Sequence, residues 1–484
     1  TPIDTLFPYT TLFRSALSLG GMSTWGQPKV TYRQIVTSPI DSWVEVTDRT
    51  KAMNGETQEE ASVSNGKGQT IEGFGACFNE LGWVSLGLLP SADRESIMKE
   101  LFLPNYGANF TICRMPIGAN DFSRDWYSYN ENDGDFKMKN FSIQNDTETL
   151  IPFIKSAQLQ NADIKVWASP WCPPSWMKHN KHYASAVCDP SLKNTKFDNG
   201  LPADRAGREG MDMFILKPEY LKAYALYFSK FIKAYRKAGI DIFGVMPQNE
   251  FNSAQIFPSC CWTAQGLASF VGDYLGPEMK KLNVDVMFGT MERANYLLVD
   301  TILQDSNAKK YVKAVGFQWA GKDAVKEVRR HYPKMKLMQT EQECGDGHND
   351  WNGMLHSWDL LKHYMDNGIS IYNYWNVSLE EGGISRWGWR QNSLVVVNPE
   401  SRMFRFTYEY YLMKHISHFV LPGAVYRPVE GSAKEILAFE NPDGSTVLLY
   451  MEKEGKDKTV TVKLKGTSFR FFTKANCLNT IKVD

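Results

Sequence analysis

From residue 70 onward the chain alternates short apolar stretches with longer segments of helical period, and this alternation restricts the fold more than any other feature. Eight strands are predicted, near Thr70–Phe78, Asn109–Pro116, Ile164–Ser169, Ile242–Asn249, Val284–Thr290, Val312–Gln318, Lys336–Glu341 and Ile369–Trp375. Such strands separated by helical segments are the mark of repeated βα units. The helix ahead of the fourth strand is the clearest. Pro218-Glu219 opens it, and Tyr220, Tyr224, Tyr227, Phe228, Phe231 and Tyr235 fall on one stripe. Lys222, Lys230, Lys233 and Arg236 lie off that stripe, and Gly239 closes it. Further helices are expected around Leu150–Leu159, Thr263–Lys281, Lys322–His331 and Trp358–Asn367. Eight strands without the Gly-rich phosphate turn of a doubly wound sheet predict an α/β fold, a (β/α)₈ barrel.

The ends of the chain read differently. Residues 29–48 have strand character, with Val30, Tyr32 and Val36 at even spacing and Trp43, Val44 and Val46 after a Ser-Pro turn. Residues 49–69 are polar and Gly-rich, a loop or hairpin. After residue 403 the helical period fades, and Val425–Val429, Glu435–Glu440, Thr446–Met451, Thr459–Leu464 and Phe469–Thr473 alternate as strands around turns. This predicts a small β-sandwich on residues 404–484, completed by the N-terminal strands of residues 26–69, beside a barrel on residues 70–403.

Formal net charge is zero, from 54 basic and 54 acidic residues, which argues against nucleic acid or an anionic membrane as the main ligand. No run of about twenty apolar residues offers an integral membrane span, so a soluble protein is expected. The eight cysteines show no paired C-x-x-C spacing, against a zinc site. Cys172 and Cys188 flank a polar loop and could pair in an exported protein. His179 and His182 stand about one helical turn apart, with a solvated pair favoured over a metal site. Aromatic residues make up 13% of the chain, including 14 Trp. Most fill cores, but Trp171, Trp176, Trp375, Trp387 and Trp389 sit in apparent loops, where flat faces suit the C–H faces of sugar rings.

In a barrel of this kind the site lies at the C-terminal strand ends. Reading those ends gives Glu80 after the first strand, Asp121 after the second and Trp171 after the third. Asn249-Glu250 follow the fourth, Gln318-Trp319 the sixth, Glu341 the seventh and Trp375-Asn376 the eighth. Two carboxylates on rigid strand ends are what glycosidic hydrolysis requires, one to protonate the leaving oxygen and one to attack the sugar carbon or activate water. A single strand-end Glu more often caps a helix or pairs with Arg; it is the constellation that argues for a site. Glu343, two residues beyond Glu341, would share its face on a strand and is a rival for the second role. Trp126, Tyr127 and Tyr129 read equally as leaving-group contacts or as a packed lid.

Ile71-Glu72-Gly73-Phe74-Gly75-Ala76-Cys77-Phe78-Asn79-Glu80 resembles the first-strand motif of glycoside hydrolase family 30, which includes the glucosylceramidases. The resemblance continues through Arg114-Met115-Pro116 with Asp121-Phe122-Ser123, Ala168-Ser169-Pro170-Trp171 with Pro174-Ser175-Trp176, Gln248-Asn249-Glu250, Thr340-Glu341 and Tyr374-Trp375-Asn376. These pieces keep the family's order over residues 30 to 484.

The resemblance implies a retaining β-glycosidase without cofactor, acting on a carbohydrate such as a β-glucoside, β-1,6-glucan or β-fucoside, with xylan among the family's other substrates. Glu250 would be the acid/base and Glu341 the nucleophile, with Asn249 beside the sugar 2-hydroxyl and Arg114 holding the nucleophile. Glu80, Asp121, Trp171, Trp375 and Asn376 would line the sugar subsite. A glycan-binding protein on a degenerate fold is the alternative. The departures are Glu80 where Asp is common, Phe251 in place of Pro, and Gln318-Trp319-Ala320 without the expected His and Tyr, which removes a common hydrogen-bond partner of the nucleophile. The loops at Asp121–Asn140, Ala184–Gly210 and Leu379–Asn392 would set a pocket or a groove.

Thr1–Ser15 matches neither a signal peptide nor the start of a domain and resembles translated sequencing-adapter read-through, as in an assembled metagenomic gene. Residues 16–21 have the small, apolar character of a cleaved export signal's tail. A secreted or periplasmic bacterial enzyme is therefore expected, residues 1–25 stay outside the fold argument, and the oligomeric state is left open.

Overall fold

The computed structural model describes residues 30–46 and 57–484. Residues 1–25, and the parts of the expected N-terminal strands and loop at residues 26–29 and 47–56, lie outside the described residues. Eight parallel strands close into a barrel: β1 (Gly73–Cys77), β2 (Ile112–Ile117), β3 (Lys165–Pro170), β4 (Ile242–Val245), β5 (Asp285–Met291), β6 (Val312–Gln318), β7 (Lys336–Glu341) and β8 (Ile369–Asn376). They follow one another in chain order around the ring, and β8 pairs with β1 from Ile371↔Gly73 to Asn376↔Cys77 to close it. Each of the eight coincides with a predicted strand.

The barrel is filled from within. Ile112, Trp167, Met246, Met287, Ala314, Met338 and Ile371 pack on one another as a separate buried cluster. Residues from seven consecutive strand positions can meet only inside the ring. The closeness depends on small residues, since a Cβ on Gly316 would meet Met246 and Thr340 at 2.4 Å. Outside, the helix Pro218–Lys237 buries Tyr224, Tyr227, Phe228, Phe231 and Tyr235 and leaves Lys222, Lys233 and Arg236 exposed, as its period requires. The helix predicted near Trp358 begins earlier, at Trp351, because Asp350 accepts from Gly353 N and caps it.

Two helices that the sequence reading omitted, Glu80–Gly87 and Ser91–Phe102, follow β1. Another falls where the helical period had been read as fading. Tyr408–Ser417, capped by Thr407, lies beyond residue 403 and ties the barrel to the sheets behind it. Its His415 is fully buried between Thr37 Oγ1 (2.8 Å) and Thr480 Oγ1 (2.7 Å), and burial lowers the imidazole to about 3.

Those sheets form a side β-sandwich. One has six strands in the order Val425–Tyr426, Ile436–Glu440, Thr446–Glu452, Cys477–Val483, Tyr32–Thr37 and Val44–Glu45. The other has four, Val429–Gly431, Thr57–Val63, Lys458–Leu464 and Thr467–Thr473. Thr57–Val63 is thus a sheet strand inside the stretch read as a polar loop or hairpin; its alternate polar residues look outward. The two sheets enclose Ala61, Ala438, Leu448, Val460, Val462, Phe471 and Ile481. All eight cysteines are buried free thiols, so the pairing of Cys172 with Cys188 is not formed. Instead Cys172 Sγ donates to Pro173 O and Cys188 Sγ to Asp198 Oδ1. Among the described residues no helix is long and apolar enough to cross a membrane.

Candidate active site

Glu250 and Glu341 meet over the C-terminal mouth of the barrel, lining one cavity of about 260 Å³ together with Asp121, Trp171, Asn249 and Gln391. Glu341 ends β7. Thr340 is turned toward Gln318 at the end of β6, and a register irregularity between Gln339 and Glu341 brings the next side chain to the mouth as well. Glu250 follows β4 with a φ of +44°, a left-handed conformation that a residue with a side chain adopts only when its surroundings hold it. Here its N–H donates to Thr290 Oγ1 at 2.9 Å.

Arg114 is the centre of the construction. It is completely buried, donates from Nη1 to Glu341 Oε2 (2.9 Å) and from Nη2 to Asn249 Oδ1 (2.7 Å) and Ser169 Oγ (2.9 Å). Its guanidinium carbon lies 5.0, 4.4 and 5.4 Å from the ring centres of Trp167, Trp171 and Trp375. A cation fixed between aromatic faces and a carboxylate keeps one geometry and one charge. Asn249 Oδ1 also accepts from Thr290 Oγ1 (3.0 Å) and Gln318 Nε2 (3.2 Å). Three donors on the oxygen orient the amide so that its nitrogen is the group left for a ligand.

Gln318 joins the two acids. Its Oε1 accepts from Arg114 Nη1 and Thr340 Oγ1, which fixes the amide, and its Nε2 lies 3.1 Å from both Glu250 Oε1 and Glu341 Oε2. Both oxygens therefore lie within one hydrogen bond of a single nitrogen, which sets the two carboxyls side by side at the cavity. Gln318 itself is fully buried, so it acts behind the cavity wall.

Burial raises both carboxyls. Glu250 is pushed up, opposed by hydrogen bonds from Gln318 and Gln255. Glu341 rises to about 7 through burial, with Arg114 pulling it down and Glu250 pushing it up. Arg114, Gln318 and Trp319 all direct N–H groups at Glu341, so of the two acids it is the one built to carry the charge. Burial, then Glu341 and Glu250, also raise Asp121, whose Oδ1 has no protein partner. Trp375, expected in the sugar subsite, does not line the cavity: it is fully buried, stacks on Trp171 at 5.4 Å from behind, and its Nε1 has no hydrogen-bond partner among the described residues. An orphaned acceptor beside the face of Trp171 is suited to a sugar hydroxyl.

Other expected contacts are corrected. Glu80 does not line the cavity; it opens the helix Glu80–Gly87, and its oxygens accept from Arg124 N and Nε, Asn145 Nδ2 and Thr149 Oγ1. It anchors the loop that follows β2. Asn376 reaches the cavity only through Gln391, to whose Oε1 it donates at 3.2 Å. Glu341 is not left short of a hydrogen-bond partner by the missing Tyr, because Trp319 Nε1 donates to its Oε1 at 3.0 Å. Phe251 is buried against Phe288. Trp176 and Trp387 brace loops through Asn130 O and Tyr183 Oη, and Tyr127 and Tyr129 donate to Asp146, which settles those two as packing residues. Trp389 does line the cavity.

Glu343 leaves the contest. The strand ends at Glu341, and two residues on Glu343 pairs with Lys322 (2.7 Å) and His356 (2.9 Å). Burial works to raise it, but those two cations outweigh burial and hold it below the ordinary range. Glu343→Gln is expected to keep turnover within about threefold of the unmodified protein, as a partly exposed ion pair away from the cavity would; a loss comparable with that of Glu341→Gln contradicts this assignment.

The residues that sequence reasoning missed are Gln255, Phe257, Glu292, Arg293 and Gln391. Glu292 carried a usable signal, since it follows the fifth strand directly, the one strand end the reading passed over.

A closed barrel with a buried, arginine-held carboxylate facing a second carboxyl defines a glycosidase. The chain belongs to glycosyl hydrolase family 30, whose TIM-barrel domain model matches residues 71–199 and 208–420. It is 30% identical to putative glucosylceramidase 1 of Caenorhabditis elegans over 81% of this chain and 75% of that protein. It is 26% identical to lysosomal acid glucosylceramidase of Mus musculus over 82% and 77%, and 26% identical to an endo-1,6-beta-D-glucanase of Aspergillus fumigatus over 84% and 83%. A solved endo-beta1,6-glucanase superposes with a TM-score of 0.78 at 24% identity, covering 94% of this chain and 99% of that one. The protein is a glycosyl hydrolase.

Proposed function

We propose that the protein is a retaining β-glucosidase-type enzyme that cleaves β-linked glucosyl units by double displacement. The observation that carries this reading is the shared Gln318 amide, which holds Glu250 and Glu341 side by side, as the close carboxyl pair of a retaining enzyme requires. Glu341, ionised and held by Arg114, attacks the anomeric carbon while Glu250 gives its proton to the leaving oxygen. The C–O bond to the leaving group breaks as the bond to Glu341 forms. With the charge on Glu341 consumed, Glu250 ionises more readily and takes a proton from water, which attacks the same carbon and frees Glu341. In this reading Asn249 Nδ2 bonds the 2-hydroxyl and Asp121 and Trp171 meet the rest of the ring, with Trp375 backing Trp171. Glucose is the favoured sugar because the relatives that align over most of their length are named for glucosyl substrates, lipid-linked in one case and β-1,6-linked in the other.

The test is a screen of aryl β-D-glucoside, fucoside, galactoside and xyloside with β-1,6-glucan, following the first anomer released by NMR. A β-sugar released first from a β-glucoside supports the reading; α-sugar released first, or no hydrolysis, overturns it. We also propose that the enzyme is secreted or periplasmic, on the export-like character of residues 16–21, to be tested by fractionating cells expressing the full natural gene; activity confined to the cytoplasm contradicts it.

The pH profile follows from the two carboxyls. Activity needs Glu341 charged and Glu250 protonated, so kcat/KM falls on the acid side as Glu341 gains its proton and on the basic side as Glu250 loses its own. The Trp319 N–H stabilises the charged form of Glu341. Trp319→Phe is therefore expected to move the acid limb to higher pH by about half a unit to one unit and to lower kcat about tenfold. An unmoved acid limb removes Trp319 from this role.

A further inference from the structure

The mechanism leaves one buried carboxyl of the cavity unused. Glu292 follows β5, is 3% exposed, and lines the cavity beside Arg293, Gln255 and Phe257. Among the described residues nothing donates a directed hydrogen bond to its Oε1. Arg293 Nη1 comes within 2.9 Å of it as a charge contact, yet no N–H of the guanidinium points along that line. Arg293 spends its directed bonds elsewhere, Nε on Glu209 Oε2 (3.0 Å) and Nη2 on Ser253 Oγ (3.4 Å). A buried carboxyl with an idle oxygen is costly unless something else satisfies it.

The order of strands around the ring says what that is. A line from Glu250 on β4 to Glu341 on β7 divides the mouth. On one side stand the ends of β2 and β3, with Asp121 and Trp171, the groups suited to the sugar being transferred. On the other stand the ends of β5 and β6, with Glu292, Arg293 and Trp319. This second flank is tied to the acid/base, because Gln255 Nε2 donates both to Glu250 Oε2 (3.0 Å) and to Ser253 Oγ (2.7 Å), the latter also met by Arg293. A leaving group departs with its oxygen on Glu250 and so lies along this flank.

We propose that Glu292 and Arg293 form a leaving-group subsite that takes a hydroxyl-bearing sugar, so that the preferred substrate is a β-glucoside of another sugar rather than of a lipid chain. This rests on the glycosidase reading above. Burial first, and then the charge of Glu250, raise Glu292 to about 8, with Arg293 opposing. The free Oε1 can accept from one sugar hydroxyl, and the Arg293 guanidinium can donate to the oxygen of another. A sugar hydroxyl would satisfy the idle oxygen. An alkyl chain would seal the carboxyl and the guanidinium away from water with nothing to bond, and sites built for hydroxyls reject such analogues strongly.

The experiment compares kcat/KM for a β-1,6-linked glucose disaccharide, octyl β-D-glucoside and 4-nitrophenyl β-D-glucoside in the full chain and in Glu292→Gln, Glu292→Leu and Arg293→Met. The unmodified protein is expected to prefer the disaccharide over the octyl glucoside by at least about 20-fold. Glu292→Leu should cut that ratio by about tenfold or more, while Glu292→Gln, which still donates and accepts, should keep it within about threefold. Arg293→Met, at a half-exposed position, should lower the ratio in the same direction and guards against a Leu variant that does not fold. A ratio unmoved in both Arg293→Met and a folded Glu292→Leu, or a preference of the unmodified protein for the octyl glucoside, overturns the subsite while activity on the aryl glucoside leaves the glycosidase reading standing. Absence of activity on all three compounds overturns the β-glucosidase reading itself.

Discussion

Glu341→Gln is expected to reduce turnover of an aryl β-glucoside by on the order of 10⁴-fold or more, with little change in melting temperature. The amide keeps the shape of the side chain and its contact with Trp319 is replaceable, but it cannot attack the anomeric carbon. It also leaves Arg114 facing a neutral group between three indole rings. The sharper form of the test uses Glu341→Gly with azide. A small anion can enter the space vacated by the side chain and attack from the same side, giving a glycosyl azide of inverted configuration. Recovery of the α-azide from a β-glucoside identifies Glu341 as the nucleophile. Recovery of the β-azide would assign it the acid/base role and exchange the two carboxyls.

Glu250→Gln has the second largest expected effect, and it depends on the leaving group. For an alkyl or sugar leaving group the first step needs the proton of Glu250, so kcat/KM should fall about 10²–10⁴-fold. A 2,4-dinitrophenyl group departs without a proton, and the first step then survives. The second step still lacks its base, so the enzyme should release a burst of dinitrophenol near one equivalent and then stall as the glycosyl-enzyme. Equal losses on both substrates, with no burst, would show that Glu250 is not the acid/base. The contrast has a structural basis, because Gln318 and Gln255 hold the Glu250 side chain in place whether or not it carries a proton.

The barrel was readable because each of its strands is a local event. A run such as Val312–Gln318 declares itself by composition and by the helical segments around it, and eight such runs admit few arrangements. The carboxyl pair was readable for the same reason, since strand ends fix the height of a residue at the mouth. What strand ends do not fix is where around and across the mouth a side chain points. Glu80 and Glu292 look equivalent in the sequence, each directly past a strand. Glu80 is drawn outward by Arg124, Asn145 and Thr149, whereas no comparable set of donors lies behind Glu292, and it stays in the cavity. Glu343 could not be separated from Glu341 by parity, because parity holds only while the strand continues, and here it stops at Glu341. The loss of the expected Tyr suggested a carboxylate short of a donor, yet Trp319 reaches Glu341 from the neighbouring strand end with an indole N–H instead.

The order of residues along the chain thus settled the class of fold and the family and brought the two carboxyls forward as candidates, because strand period, helix period and short motifs are properties of neighbours in sequence. The tertiary structure decided which polar groups face the cavity and which brace a loop, how one amide holds both acids, and that the Glu292–Arg293 ion pair stands in the cavity on the Glu250 side with one carboxyl oxygen free of directed hydrogen bonds. Those outcomes depend on partners tens to hundreds of residues away, and a buried polar group turns toward whichever partner the fold brings within a hydrogen bond's reach.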